Sequence, residues 1–128
     1  MTLAIVPIYA ALLGALFVVL TGRAIRARRS ARVAIGPLGT EALDRRVRAH
    51  ANFAEYAPFA LLLLGFAELR GGPGIALHIG ALALLIGRAS HAWGVSRTPE
   101  NFRFRVAGMA STFAAYTVAI AAIALTYV

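Results

Sequence analysis

The sequence predicts an all-α integral membrane protein, one four-helix bundle over residues 1–128, and three observations carry that reading. Hydrophobic residues make up 60% of the 128 and charged residues only 14%, a balance that leaves too few polar groups to cover a soluble domain of this size. Residues 1–22 and 106–128 carry no charge, and each run reaches the ~20 residues that cross ~30 Å of hydrocarbon. Residues 71–87 form a third uncharged run containing His78, and 49–67 a fourth, interrupted by His50, Asn52 and Glu55.

The elements follow in order. A first helix is expected at residues 3–27. It has neither a basic n-region nor a small-residue cleavage pattern before Arg23, so it reads as a retained membrane helix and not a signal peptide. A basic connector with Arg28, Arg29 and Arg32 comes next, and Gly36-Pro37-Leu38-Gly39 breaks helical structure. Thr40 suits an N-cap, with Glu41 and Asp44 in the first turn of a second helix at 41–69. Arg70-Gly71-Gly72-Pro73-Gly74 is a tight turn. A third helix is expected at 75–95, a polar loop with Pro99 at 96–101, and a fourth helix at 105–128.

The net charge is +8 and all 13 basic residues are arginine. They cluster at the ends of apolar segments, where lipid headgroups and topology account for them, and no aromatic-plus-basic face is left to hold nucleic acid. Most flank the first and third loops. The positive-inside rule therefore puts those loops in the cytoplasm and both termini outside. The chain has 0 cysteines, which excludes disulfides, thiolate metal sites and a cysteine nucleophile. The three histidines, His50, His78 and His91, fall on different faces and levels, so no metal site is expected. Small residues at Gly80, Ala83 and Gly87, and at Gly108, Ala110, Ser111, Ala114 and Ala115, allow close helix approach in lipid. A thin bundle has little interior, so part of this surface is expected to meet another copy.

The second helix carries a polar stripe. Arg45, Arg48, Asn52 and Glu55 recur at intervals of three, four and three, within about 80° of arc at ~100° per residue, with Tyr56 and Phe59 on the same side. Charge at membrane depth is costly and should face the bundle interior in pairs. Arg88 and His91 share a face of the third helix; Arg105, Thr112 and Tyr116 share one of the fourth. Brought to one level, these residues would make a pocket with surplus positive charge and Glu55 as its carboxylate. Forked guanidinium contacts suit a small ligand with more than one carboxylate. The bland alternative is a structural polar network, or interfacial arginines snorkelling to headgroups.

The segment Arg48-Ala49-His50-Ala51-Asn52-Phe53-Ala54-Glu55-Tyr56-Ala57-Pro58-Phe59 resembles the helix-2 signature of the MAPEG family, the membrane-associated proteins in eicosanoid and glutathione metabolism, as a bacterial-type member. Gly87-Arg88-Ala89-Ser90-His91, Phe104-Arg105-Val106 and Arg28-Arg29-Ser30-Ala31-Arg32-Val33 are similar to other segments of that family. The resemblance implies a homotrimer in a bacterial inner membrane, with glutathione as cosubstrate bound between subunits near the cytoplasmic face. It implies that Arg48, Asn52 and Glu55 hold the peptide, Glu55 at its amino group, with Tyr56 nearby. Arg88 and His91 would line the site, and Arg28 would reach a carboxylate from an adjacent subunit. Arg105 would be catalytic, its guanidinium favouring the thiolate, which is the nucleophile.

The activity so implied is that of a glutathione transferase or peroxidase, acting on a lipophilic electrophile or hydroperoxide that arrives through the bilayer. Where several branches of the family have a tyrosine four residues after the histidine, this chain has Val95, so a hydroxyl must come from Tyr56, Ser96 or Tyr116 or be absent. Two other functions compete: a non-catalytic binder of glutathione or a related anion, and a small transporter. The transporter is disfavoured because fixed positive charge around Glu55 opposes a cation site.

Overall fold

The computed structural model describes residues 2–128 and has four helices: α1 Val6–Ala31, α2 Glu41–Leu69, α3 Gly74–Val95 and α4 Phe102–Ala124, the last followed by a 3-10 turn, Leu125–Tyr127. Among the described residues there is no strand. The helices α1, α3 and α4 are long and apolar enough to cross a membrane. At 29 residues α2 has the length too, but Asn52, Glu55 and Glu68 dilute its apolar run. The chain is an integral membrane four-helix bundle.

The ends of the helices differ from expectation for local reasons. α1 continues through Arg28 and Arg29, where cations complement the partial negative charge of a helix C-terminus. The chain then leaves through Arg32 in the left-handed region, φ 56°. The fourth helix starts ahead of residue 105 because Asn101 caps it, its side chain accepting the Phe104 N–H at 3.3 Å. Thr40 caps α2 as its sequence predicts, accepting the Leu43 N–H at 3.4 Å.

Up-and-down connection brings both termini to one end of the bundle, where side chains tie them. Proline at the start of α1 and the absence of a capping side chain there leave N–H groups to satisfy. Glu68, at the far end of α2, supplies the acceptor. Its carboxylate takes the N–H groups of Ala4, Ile5 and Val6 at 2.7, 2.6 and 2.8 Å. Arg70 does the same service for the C-terminus, stacking on the Tyr127 ring at 4.2 Å and donating to Thr126.

The closest packing joins α3 to α4. Gly80, Gly87 and Gly94 recur every seven residues along α3, and Gly108 faces them from α4. A Cβ on Gly87 would lie 2.9 Å from the Gly108 carbonyl oxygen, one on Gly108 2.5 Å from the His91 nitrogen, and one on Gly94 2.6 Å from the Arg105 nitrogen. Backbones that touch in this way gain dispersion contacts that lipid would not otherwise supply. The seam also fixes where His91 and Arg105 stand.

The apolar core runs along the bundle through Leu13 and Leu20 of α1, Phe53 and Leu64 of α2, Leu84 of α3, and Ala115 and Ala119 of α4. Pro58 sits inside α2 and cannot donate a backbone hydrogen bond. Close by, the Tyr116 hydroxyl donates to the Tyr56 carbonyl at 2.8 Å, pinning α4 to this part of α2.

Candidate functional site

At the end of the bundle opposite the termini, a cleft of about 810 Å³ opens between the start of α2, the end of α3 and the start of α4. That volume falls within the ~300–1,000 Å³ of small-molecule sites. Of the residues singled out from sequence, Arg48, Asn52, His91 and Arg105 line it, together with Arg45 and Val95. Arg28, Glu55, Tyr56 and Arg88 are not among its lining residues.

The polar stripe of α2 straddles the edge of the subunit. Asn52 is turned inward and buried. Arg48 and Glu55 turn outward, with side chains 63% and 49% exposed, and pair with each other at 3.6 Å. An arc of 80° is wide enough to cross from the packed face of a helix to its free face, and here it does. Asn52 therefore takes no part in that pair.

Arg88 is the deepest charge in the molecule, 1% exposed. Its guanidinium donates to Thr112 Oγ1 at 2.9 Å, Asn52 Oδ1 at 2.6 Å and Met109 Sδ at 3.2 Å, and it lies over the Tyr56 ring at 5.5 Å. A buried charge survives only when paired or well hydrogen-bonded. The consequence for the cleft is chemical. With its oxygen turned to Arg88, the Asn52 amide keeps its N–H groups free to donate to whatever occupies the cleft it lines. Arg88 thus acts on the cleft through Asn52.

Arg105 stands at the start of α4, its Nη1 donating to Glu100 Oε1 at 2.7 Å. The other Glu100 oxygen meets Arg45 Nη1 at 3.1 Å. Arg45 is held further by Glu41, at 2.8 Å through Nε, and by the Val95 carbonyl at 3.3 Å. The hydrogen bond from Arg105, followed by that from Arg45, keeps the Glu100 carboxyl below its ordinary value, while partial burial works the other way. Glu41 and Asp44 also line the cleft, and Asp44 is engaged by the Leu38 N–H at 2.8 Å. Three guanidiniums thus face three carboxylates, so the surplus of positive charge expected from sequence is absent from the lining of a single subunit.

Glu100 escaped the sequence reading because it lies in a loop outside every helical motif. The signal was available: it is the acid amid Arg97, Arg103 and Arg105. None of Tyr56, Ser96 and Tyr116, the residues expected to supply the hydroxyl missing at Val95, lines the cleft; the hydroxyl residue that does is Thr40. His50 lies on the other side of α2, stacked on Phe17 of α1 at 5.0 Å, and His78 meets the Tyr9 hydroxyl at 2.9 Å near the far end. Among the described residues no group of three His, Cys, Asp or Glu side chains could hold a metal ion.

A helix-2 motif whose asparagine is clamped from α3, beneath an arginine opening α4, is found here in a membrane bundle of four helices. Residues 6–125 match the profile of the MAPEG family. The chain belongs to that family. It is also similar to two Escherichia coli proteins, each named inner membrane protein YecN, one from strain K12 and one from strain O6:H1 (CFT073). Each is 35% identical over 108 residues, covering 84% of this chain and 81% of the relative. This MAPEG chain is an integral membrane protein on both counts, its composition and its relatives.

Proposed function

We propose that this MAPEG chain is a glutathione-dependent membrane transferase or peroxidase that works as a homotrimer. The observation that carries the reading is the shared cleft of Arg48, Asn52, His91 and Arg105, in which the Asn52 N–H groups are free to donate while its oxygen is held by Arg88. Such a lining suits the carboxylates and peptide oxygens of glutathione. The Arg105 guanidinium, placed beside the ligand sulfur, would favour loss of the thiol proton and hold the thiolate. In the transferase reaction that sulfur bonds to an electrophilic carbon, and the leaving group departs with the electron pair of the broken bond. In the peroxidase reaction two glutathione molecules give up two electrons and two protons to a hydroperoxide, yielding the disulfide, an alcohol and water.

Support for the trimer comes from α2. Glu55, Phe59, Leu62, Phe66 and Leu69 recur at intervals of four and three, with Arg48 seven residues before Glu55, and all six are exposed in one subunit. That is the spacing of a helix seam made to pack against copies of itself. Glu55, Tyr56 and Arg28 lie outside the cleft of one subunit, and in this reading they join it from the neighbour's side of the seam. The same reading puts the chain in a bacterial inner membrane, with the arginine-rich loops and the cleft in the cytoplasm and both termini outside.

The test is calorimetric titration of glutathione into the purified protein in detergent, with Arg48→Ala as control. Saturable binding, weakened at least about tenfold in the variant as expected for a lost charged hydrogen bond, supports the site. Turnover of a lipophilic electrophile that disappears in Arg105→Ala supports the catalysis. Absence of binding at millimolar glutathione overturns the ligand. A second reading, a non-catalytic binder, is favoured by one observation: Arg105 is already engaged by Glu100. It predicts binding without turnover.

A further inference from the structure

Glu100 forms the wall between two hollows. On one side is the cleft, where its carboxylate bridges Arg45 and Arg105. On the other side is a hollow of about 780 Å³ lined by Trp93, Arg97, Arg103 and Phe104, which Glu100 and the loop also bound. Arg97 stacks on the Trp93 ring at 4.0 Å. Among the described residues neither Arg97 nor Arg103 has an ion pair, whereas Arg45 and Arg105 share the one carboxylate.

We propose that Arg45 and Arg105 form a carboxylate seat which Glu100 fills in the free protein, and that a ligand carboxylate takes the seat while Glu100 swings across to Arg97 and Arg103. The inference rests on the reading of the cleft as a site for a carboxylate-bearing ligand. Three observations support it. Two guanidiniums converging on two oxygens of one carboxylate, at 2.7 and 3.1 Å, are a geometry any small carboxylate can reproduce. Two carboxylates in one seat repel, so the arriving ligand must expel the resident one. Glu100 also belongs to a short loop between α3 and α4, where a side chain can change partners without moving a helix, and two guanidiniums wait on the far side.

The exchange has a function. A ligand carboxylate that replaces Glu100 at Arg105 Nη1 anchors the ligand there, and the remaining N–H groups of that guanidinium are left to face the thiol. The exchange also sets specificity, because a ligand without a carboxylate cannot evict Glu100.

The experiment is titration of glutathione, and of glutarate as a carboxylate probe without a thiol, into the wild type, Glu100→Gln, Arg97→Gln/Arg103→Gln and the triple variant, all in detergent. Glu100→Gln is expected to bind both probes about tenfold more tightly, the resident charge having gone. The Arg97→Gln/Arg103→Gln pair is expected to bind several-fold more weakly than wild type, and to have no effect in the Glu100→Gln background. Unchanged or weaker binding by Glu100→Gln overturns the proposal. If Arg48→Ala abolishes glutathione binding while Glu100→Gln matches wild type, only the seat fails and the glutathione reading stands. If neither probe binds any of the proteins, both fail together. Should Glu100→Gln not fold, Glu100→Asp keeps the charge but shortens its reach; tighter binding there supports the seat and equal binding overturns it.

Discussion

Arg88 is an arginine buried as fully as the leucines around it, and three acceptors make that tolerable. Removing the Asn52 oxygen removes the shortest of its contacts. Asn52→Leu is expected to cost about 2–3 kcal/mol, the range for a lost hydrogen bond to a buried charge, seen as a lower unfolding midpoint in detergent. Asn52→Asp restores an acceptor and should recover most of it. Glu100 makes a different prediction, through pH. Its folded value is depressed below the ordinary 4.5, so its contribution to stability is present above that value and lost as pH falls through the lower folded one. The wild type should lose stability on acidification through that window, and Glu100→Gln should lose less of it. Equal acid sensitivity of the two proteins would remove Glu100 from the account.

At the scale of elements, the α3–α4 seam is the most constrained contact. Gly108 has the His91 backbone at 2.5 Å from where its Cβ would stand, while Gly14 of α1 has nothing within 4 Å. Gly108→Ala must push α4 off α3 and should destabilise by about 1–3 kcal/mol, as overpacking does. Gly14→Ala should be neutral or slightly stabilising, because alanine is the better helix former. Reversible unfolding in mixed micelles compares the two. Since the same contact positions His91, Gly108→Ala should also weaken ligand binding in whatever fraction remains folded.

For the whole molecule, the proposed trimer rests on the exposed stripe along α2. A lone subunit leaves Phe59, Leu62 and Phe66 exposed at 57%, 48% and 49%, beside the Arg48–Glu55 pair. Native mass measurement in mild detergent is expected to give three copies. Replacing Phe59 and Phe66 together with alanine should shift the population toward smaller species, and a monomeric wild type that still binds glutathione would sink the trimer while sparing the site.

The four helices, their breaks and the apolar character of the bundle follow from local patterns: uncharged runs, a threonine before acids, glycine and proline in the turns. Those are properties of neighbours in sequence, so the chain alone determined them, and the helix-2 motif with Arg48, Asn52 and Glu55 was enough to point to the family. Which side of a helix faces a partner is settled by packing across the bundle. Periodicity gathered Arg48, Asn52 and Glu55 on one arc, but only the seating of α2 against α3 divided that arc, drawing Asn52 inward to Arg88 and leaving the Arg48 and Glu55 side chains exposed. Nor could spacing within one helix join Glu100 to Arg45, on opposite sides of the bundle's sequence yet 3.1 Å apart. Long-range electrostatic pairing of this kind depends on distances that only the folded backbone fixes.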